Sequence, residues 1–190
     1  MRLTADDVLD IPVPDHVRGY ELENGQLVEV SLVSPPHGRI AAQVARHLAN
    51  YVEERGSPGR VYVEAGCVLG LERDPERLRG PDVSYVTEAK LRERGGEPAR
   101  GWFRLVPDFV VEVDSPGRRP AVEQRRIQDY LDGGVQLLWI IHTDAASATV
   151  YHADGSARLP RAGDTLEGDP VLPGSRLPLA RLFPDVDLEE

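Results

Sequence analysis

Two hydrophobic runs that carry acids where a strand wants apolar residues constrain this chain most. They are Pro81-Asp82-Val83-Ser84-Tyr85-Val86 and Pro107-Asp108-Phe109-Val110-Val111-Glu112-Val113-Asp114-Ser115, separated by a polar, arginine-rich segment. In the second run Phe109, Val111 and Val113 fall on one face of a period-two strand, which sends Val110, Glu112 and Asp114 to the other. Consecutive strands are usually neighbours, so Asp82 at the start of one can meet Glu112 near the end of the next. Carboxylates held together repel unless a cation or a proton sits with them. Oxygen-only ligands favour magnesium, manganese or calcium. The competing reading is that each acid ends its strand at solvent, the ordinary fate of an Asp or Glu.

A chain of 190 residues is long enough to bury one core. The expected division is a lead-in segment over 1–17, one domain over 18–183 and an acidic tail over 184–190. The single cysteine, Cys67, excludes an intrachain disulfide, suits a reducing compartment and leaves no Cys/His zinc spacing. The first residues lack a long apolar core and no later stretch could span a bilayer, so a cytoplasmic protein without a membrane partner is expected. A formal charge of −10 argues against broad, nonspecific affinity for nucleic acid but leaves room for a local basic groove. Lys90 is the sole lysine, and arginine supplies nearly all the positive charge.

Along the chain, Asn24-Gly25 between Tyr20-Glu21-Leu22-Glu23 and Gln26-Leu27-Val28-Glu29-Val30 predicts a two-residue hairpin. Its register sets Tyr20 opposite Glu29 and Leu22 opposite Leu27, which puts Glu29 on the core-facing side or at a strand end reaching water. Apolar positions Ile40, Val44, Leu48, Tyr51 and Val52 recur at helical spacing from Arg39, and Gly56 ends that helix. His37 just before it reads as a loop or capping residue. Residues 60–71 read as one or two strands, 72–80 as a charged turn, and 87–104 as a surface excursion with some helix. A helix over Ala121–Asp132 carries the row Val122, Arg126, Tyr130, with Arg125 turned to solvent. Arg126 either snorkels or meets the acids of the preceding strand. Arg118, Arg119 and Arg125 add positive charge suited to a phosphate backbone. Leu137-Leu138-Trp139-Ile140-Ile141 reads as a central strand covered on both faces. Asp154-Gly155 marks a second hairpin.

The order Tyr20-Glu21-Leu22-Glu23-Asn24-Gly25, His37-Gly38, Pro81-Asp82-Val83, Val111-Glu112-Val113 with Ser115-Pro116, Tyr130-Leu131 with Gly133-Gly134-Val135, and Leu172-Pro173-Gly174 resembles the Uma family of putative restriction endonucleases, across residues 18 to 183. The resemblance implies an α/β (α+β), restriction endonuclease-like PD-(D/E)XK nuclease fold: a mixed central β-sheet flanked by helices, with an N-terminal β-hairpin. It implies Mg2+ or Mn2+ held by Asp82 and Glu112, DNA as substrate, and a homo-oligomer, a dimer. The fold's usual lysine would stand at Asp114, or, in many members, four residues before the tyrosine, where this chain has Arg126. Many members carry an acid before the His-Gly pair, where this chain has Pro36. Glu29 matches an acid common in the family's first hairpin. The implied activity is metal-assisted hydrolysis of a DNA phosphodiester, with Arg126 orienting water or neutralising phosphate and Glu29 and Asp114 as auxiliary acids. The alternative is a nuclease-fold protein that no longer cleaves and serves as a binding or assembly module.

Overall fold

The structure, a computed structural model, describes residues 2–56, 59–114 and 120–183. The acid-bearing runs form β6 (Val83–Thr87) and β7 (Phe109–Asp114), adjacent and antiparallel with Val83 opposite Val111. They sit inside a six-stranded mixed sheet of order β10-β9-β8-β7-β6-β3, built with β3 (Gly59–Val63), β8 (Leu137–His142), β9 (Ser147–His152) and β10 (Ala157–Arg158). β7 and β8 pair in parallel, as strands joined through a helix can, while the other pairs are antiparallel. β8 is buried along nearly its whole length, which accounts for its continuous apolar run.

The alternation in β7 is the device that separates two cores. Phe109, Val111 and Val113 face α2 (Pro35–Arg55), where Ile40, Val44 and Leu48 pack on them. Val110 faces the other way, toward Ile127 and Tyr130 of α4 (Pro120–Gly133). α2 starts four residues earlier than its apolar spacing suggests. Ser34 caps it by accepting from the His37 amide, and Pro35 and Pro36 fill first-turn positions that need no amide hydrogen. His37 thereby lies inside the first turn and is buried. Gly56 ends the helix at φ 58.

A second sheet has the order β2-β1-β5-β4. β1 (Val17–Glu23) and β2 (Gln26–Ser31) form the hairpin, with Asn24 and Gly25 both at positive φ as a primed turn requires. β5 (Leu78–Arg79) pairs with β1 on one side and β4 (Cys67–Val68) on the other, so the stretch read as a charged turn contributes a strand. The short helix α1 (Ala5–Val8) buries Ala5 and Val8 against Leu22 and Leu78. The 87–104 excursion holds α3 (Glu88–Glu93) and buries Leu91 and Phe103 over the α4 side of the main sheet. β11 (Thr165–Glu167), β12 (Arg176–Pro178) and a 3-10 turn at Leu179–Leu182 close the α2 side. No helix among the described residues is long and apolar enough to cross a membrane.

Trp139 is fully buried and meets Phe109 edge to face, with ring centroids 4.7 Å apart, at the centre of the α2 core. Trp139→Ala is expected to cost about 3–5 kcal/mol, read as a lower urea midpoint at unchanged slope.

Candidate active site

Continuing the β6–β7 register by one step sets Asp82 opposite Glu112. Both are buried and both line a cleft of about 440 Å³, together with Arg126 from α4 and Glu21 from β1. Strand and helix periodicity left open whether the acids end at solvent and whether Arg126 snorkels; the structure brings Asp82, Glu112 and Arg126 to one cleft.

Each group is held by named neighbours. Asp82 Oδ2 accepts from the Val113 amide at 2.8 Å, and Oδ1 lies 3.1 Å from His37 Nε2 and 3.6 Å from an Arg18 nitrogen. Burial alone raises the Asp82 carboxyl, but the His37 hydrogen bond and charge, the Val113 amide and Arg126 outweigh it and hold it below the ordinary range. Glu112 Oε1 accepts from the Tyr130 hydroxyl at 2.6 Å. Arg126 Nε stands 2.9 Å from the same oxygen as an ion pair, without the alignment of a hydrogen bond. Burial pushes the Glu112 carboxyl up, assisted by the charges of Asp82 and Glu21, and Arg126 and Tyr130 only partly offset it.

The guanidinium of Arg126 is bracketed on its other side. Nη1 donates to Glu21 Oε2 at 2.7 Å and Nη2 to the Gly80 carbonyl at 3.1 Å, while the Gly80 amide donates to Glu21 Oε1 at 2.8 Å. Gly80 precedes Asp82 by two residues, so the bracket ties the position of the arginine to that of the acid. Arg79 extends the lattice. It donates to Glu21 at 2.8 Å, to Glu23 at 3.1 Å and through Nε to the buried Asp129 of α4 at 3.0 Å. Glu21 remains ionised despite burial, because Arg126, Arg79 and the Gly80 amide together outweigh the desolvation that raises it.

Of the remaining expected residues, Glu29 also lines the cleft but is exposed at its rim, and the hairpin acid that reaches Arg126 is Glu21 on the opposite face of the ribbon. That correction has a simple cause: the ribbon is covered on both faces, by Leu22's apolar cluster on one and by Arg79 and Arg126 on the other. Arg125 is exposed as expected, and its charge is paired with Glu23 at 2.6 Å. Arg118 and Arg119 lie outside the described residues. Asp114 groups with Glu123 and His142, their ligand atoms all within 4.8 Å of one another, rather than with Glu112. Carboxylates of this partial exposure commonly stand without a cation.

Sequence reasoning missed Glu21, His37, Arg79 and Asp129. Their signal lies in pairing across sheets, which periodicity does not carry; only Tyr130 stood in the inward helical row. The donor set nonetheless suits a hard divalent cation. Asp82 and Glu112 offer oxygens alone, the described contacts to Glu112 all fall on Oε1, and among the described residues five carboxylates and three guanidiniums line the cleft.

The sequence matches the family described as Uma2, putative restriction endonuclease, over residues 5–180. The fold matches the crystal structure of a putative nuclease belonging to DUF820 from Anabaena variabilis ATCC 29413, with a TM-score of 0.78 and 21% identity. That match covers 96% of this chain and 98% of the other. No curated protein matches the chain.

Glu23 supplies a test of the lattice. Burial raises its carboxyl, but Arg125, Arg79 and Arg77 overcome that and bring it from 4.5 to about 2. Its folded value is depressed, so its stabilising charge is complete above 4.5 and is lost as pH falls toward 2. Glu23→Gln is expected to flatten thermal stability against pH across that window, while the unsubstituted protein loses stability there.

Proposed function

The chain belongs to the Uma2 family of putative restriction endonucleases, and from that premise we propose that it is a metal-dependent endonuclease hydrolysing DNA phosphodiester bonds at the Asp82–Glu112 cleft. The observation that carries this reading is the convergence of two buried carboxylates from neighbouring strands on one solvent-reaching cleft, with a guanidinium fixed beside them.

Asp82 and Glu112 would hold a magnesium or manganese ion, which when bound supplies a water of lowered pKa and polarises a phosphoryl oxygen. The chain's own residues do the rest. His37 and the Val113 amide fix the Asp82 carboxylate, and the Tyr130 hydroxyl fixes that of Glu112. Arg126 stays protonated and has five N–H donors, of which Glu21, Gly80 and Glu112 engage at most three. The others are free for the phosphate oxygens on which charge develops during attack. Glu21 and Gly80 keep that fork from swinging away.

A second reading, a binding or assembly module of nuclease fold, is favoured by one observation: Arg126 occupies the position where the resemblance places lysine, and it is already paired with two acids. Arg126→Lys separates the two readings. A gain of metal-dependent cutting supports a site that differs from its relatives in one group, and metal binding without cutting in either form supports the module.

The cation is tested first without substrate. Calorimetric titration with manganese is expected to show binding that falls at least about tenfold, a change of about 1.4 kcal/mol, in Asp82→Ala and Glu112→Ala alike. Binding that persists undiminished in both would belong to the Asp114, Glu123 and His142 group and would remove the proposed centre.

A further inference from the structure

A slot of about 150 Å³ adjoins the cleft and shares Arg18 and Glu21 with it. Tyr20, Trp102, Leu78 and Val30 line it, and glycines leave much of its wall bare. A Cβ built at Gly19 meets nothing within 4 Å, and one at Gly80 meets only Glu21 Oε1 at 4.0 Å. Gly66 is bare for the opposite reason: a Cβ there would stand 2.3 Å from the Trp102 ring, so glycine is what lets the indole lie against the backbone. Both aromatic side chains are pinned by their polar ends. Trp102 Nε1 donates to the Ala5 carbonyl at 2.8 Å and the Tyr20 hydroxyl to that of Pro12 at 3.4 Å. Held this way they form a rigid apolar surface with little rotamer freedom left to lose on binding.

The slot is too small for a typical small-molecule site, which runs to roughly 300 Å³ or more, and its size and lining suit one planar ring system. Its position restricts the occupant further. Anything entering beside Arg18 and Glu21 is within reach of a chain whose backbone lies at Asp82 and Glu112.

Charge gives an independent argument. Among the described residues, the arginines lining the cleft are all ion-paired: Arg18 with Glu64 at 2.7 Å, Arg79 with Glu21 and Asp129, and Arg126 with Glu21 and Glu112. With the whole chain at −10, release of counterions from a duplex backbone is a weak source of affinity here. Stacking of bases on aromatic side chains does not need a positive surface and is available only to bases that have left the duplex.

We propose that this slot is a subsite for one unstacked nucleobase, so that the substrate is a nucleic acid with an unpaired nucleotide beside the scissile phosphate. The inference rests on the nuclease reading for the placement of the backbone. It adds that Trp102 and Tyr20 supply the binding energy which the acidic cleft lacks.

The chain has two tryptophans, and Trp139 is fully buried in the core, so a change of intrinsic fluorescence on binding reports Trp102. Titration of the full chain, with calcium in place of magnesium to prevent cleavage, would use a short oligothymidylate, the same strand lacking bases, and a duplex of equal length. The expected result is quenching by the oligothymidylate, with the abasic strand and the duplex binding about tenfold more weakly or worse, the size of a stacking contribution. Gly19→Leu fills the slot where a side chain meets no neighbour, and is expected to weaken the oligothymidylate by a similar factor while manganese binding stays unchanged. Equal binding of the three nucleic acids, or a Gly19→Leu protein that binds the oligothymidylate as before, overturns the subsite. Loss of the nuclease reading shows separately, as cation binding indifferent to Asp82 and Glu112.

Discussion

A lattice of buried guanidinium and carboxylate groups holds the second sheet, the main sheet and helix α4 in one arrangement. Arg79 comes from β5 and Arg126 from α4, Glu21 from β1, Asp129 from α4 and Glu112 from β7. Taking such charges out of water costs several kcal/mol each, and mutual attraction repays this only where geometry is good and the remaining lone pairs are met. Glu21 satisfies that condition with three donors on two oxygens. Asp129 does so with Arg79 and Arg73. An apolar core in the same volume could serve stability as well. What the charged lattice adds is position, since each hydrogen bond has a direction and each member belongs to a different element.

Much of the main sheet was legible in the sequence because its signals are local. The alternation of Phe109, Val111 and Val113 with Glu112 gives the strand and its faces, the run at Leu137–Ile141 gives a doubly covered strand, and Asn24-Gly25 gives the hairpin and its register. The meeting of Asp82, Glu112 and Arg126 follows from the same periodicities once neighbouring strands are assumed. Glu29 and Glu21 show where this kind of reasoning stops. They differ only in which face of the ribbon they occupy, and a ribbon covered on one side by apolar residues looks open on the other. Nothing local to the hairpin announces that Arg79 and Arg126, 58 and 105 residues away, will cover it. His37 was misplaced for a related reason. Ser34-Pro35-Pro36 reads as a loop, yet serine as a cap and prolines in the first turn are also how a helix begins.

The balance of charge at the cleft bears on the order in which ligands can arrive. Among the described residues five carboxylates and three guanidiniums line it, so a phosphate approaching them meets a negative field. Binding a divalent cation at Asp82 and Glu112 would cancel the two-unit excess. The upward push on the Glu112 carboxyl belongs to the same balance, because burial and two neighbouring acids disfavour its charge, and among the described cations Arg126 alone contacts it. Under the proposed function, such a site would take a cation first and a nucleic acid second, with affinity for the second drawn from groups outside the cleft.

The arginine at position 126 is better understood from its surroundings than as a loose substitute for lysine. Its guanidinium reaches Glu21, the Gly80 carbonyl and Glu112 from three nitrogens at once and lies over the Tyr130 ring at 5.9 Å. An ammonium is a compact charge on a flexible stem and cannot span three acceptors set out along a planar fork. Glu21 also has a second guanidinium, Arg79, on the same oxygen, so the hairpin acid, β5 and α4 are arranged around forks rather than point charges. Placing lysine here would restore a cation of tunable pKa near the acids but would take from the Gly80 carbonyl the donor that Arg126 supplies. The pattern of contacts therefore marks Arg126 as a member of a site built for arginine, in which phosphate neutralisation is within its chemistry and proton transfer from its side chain is not.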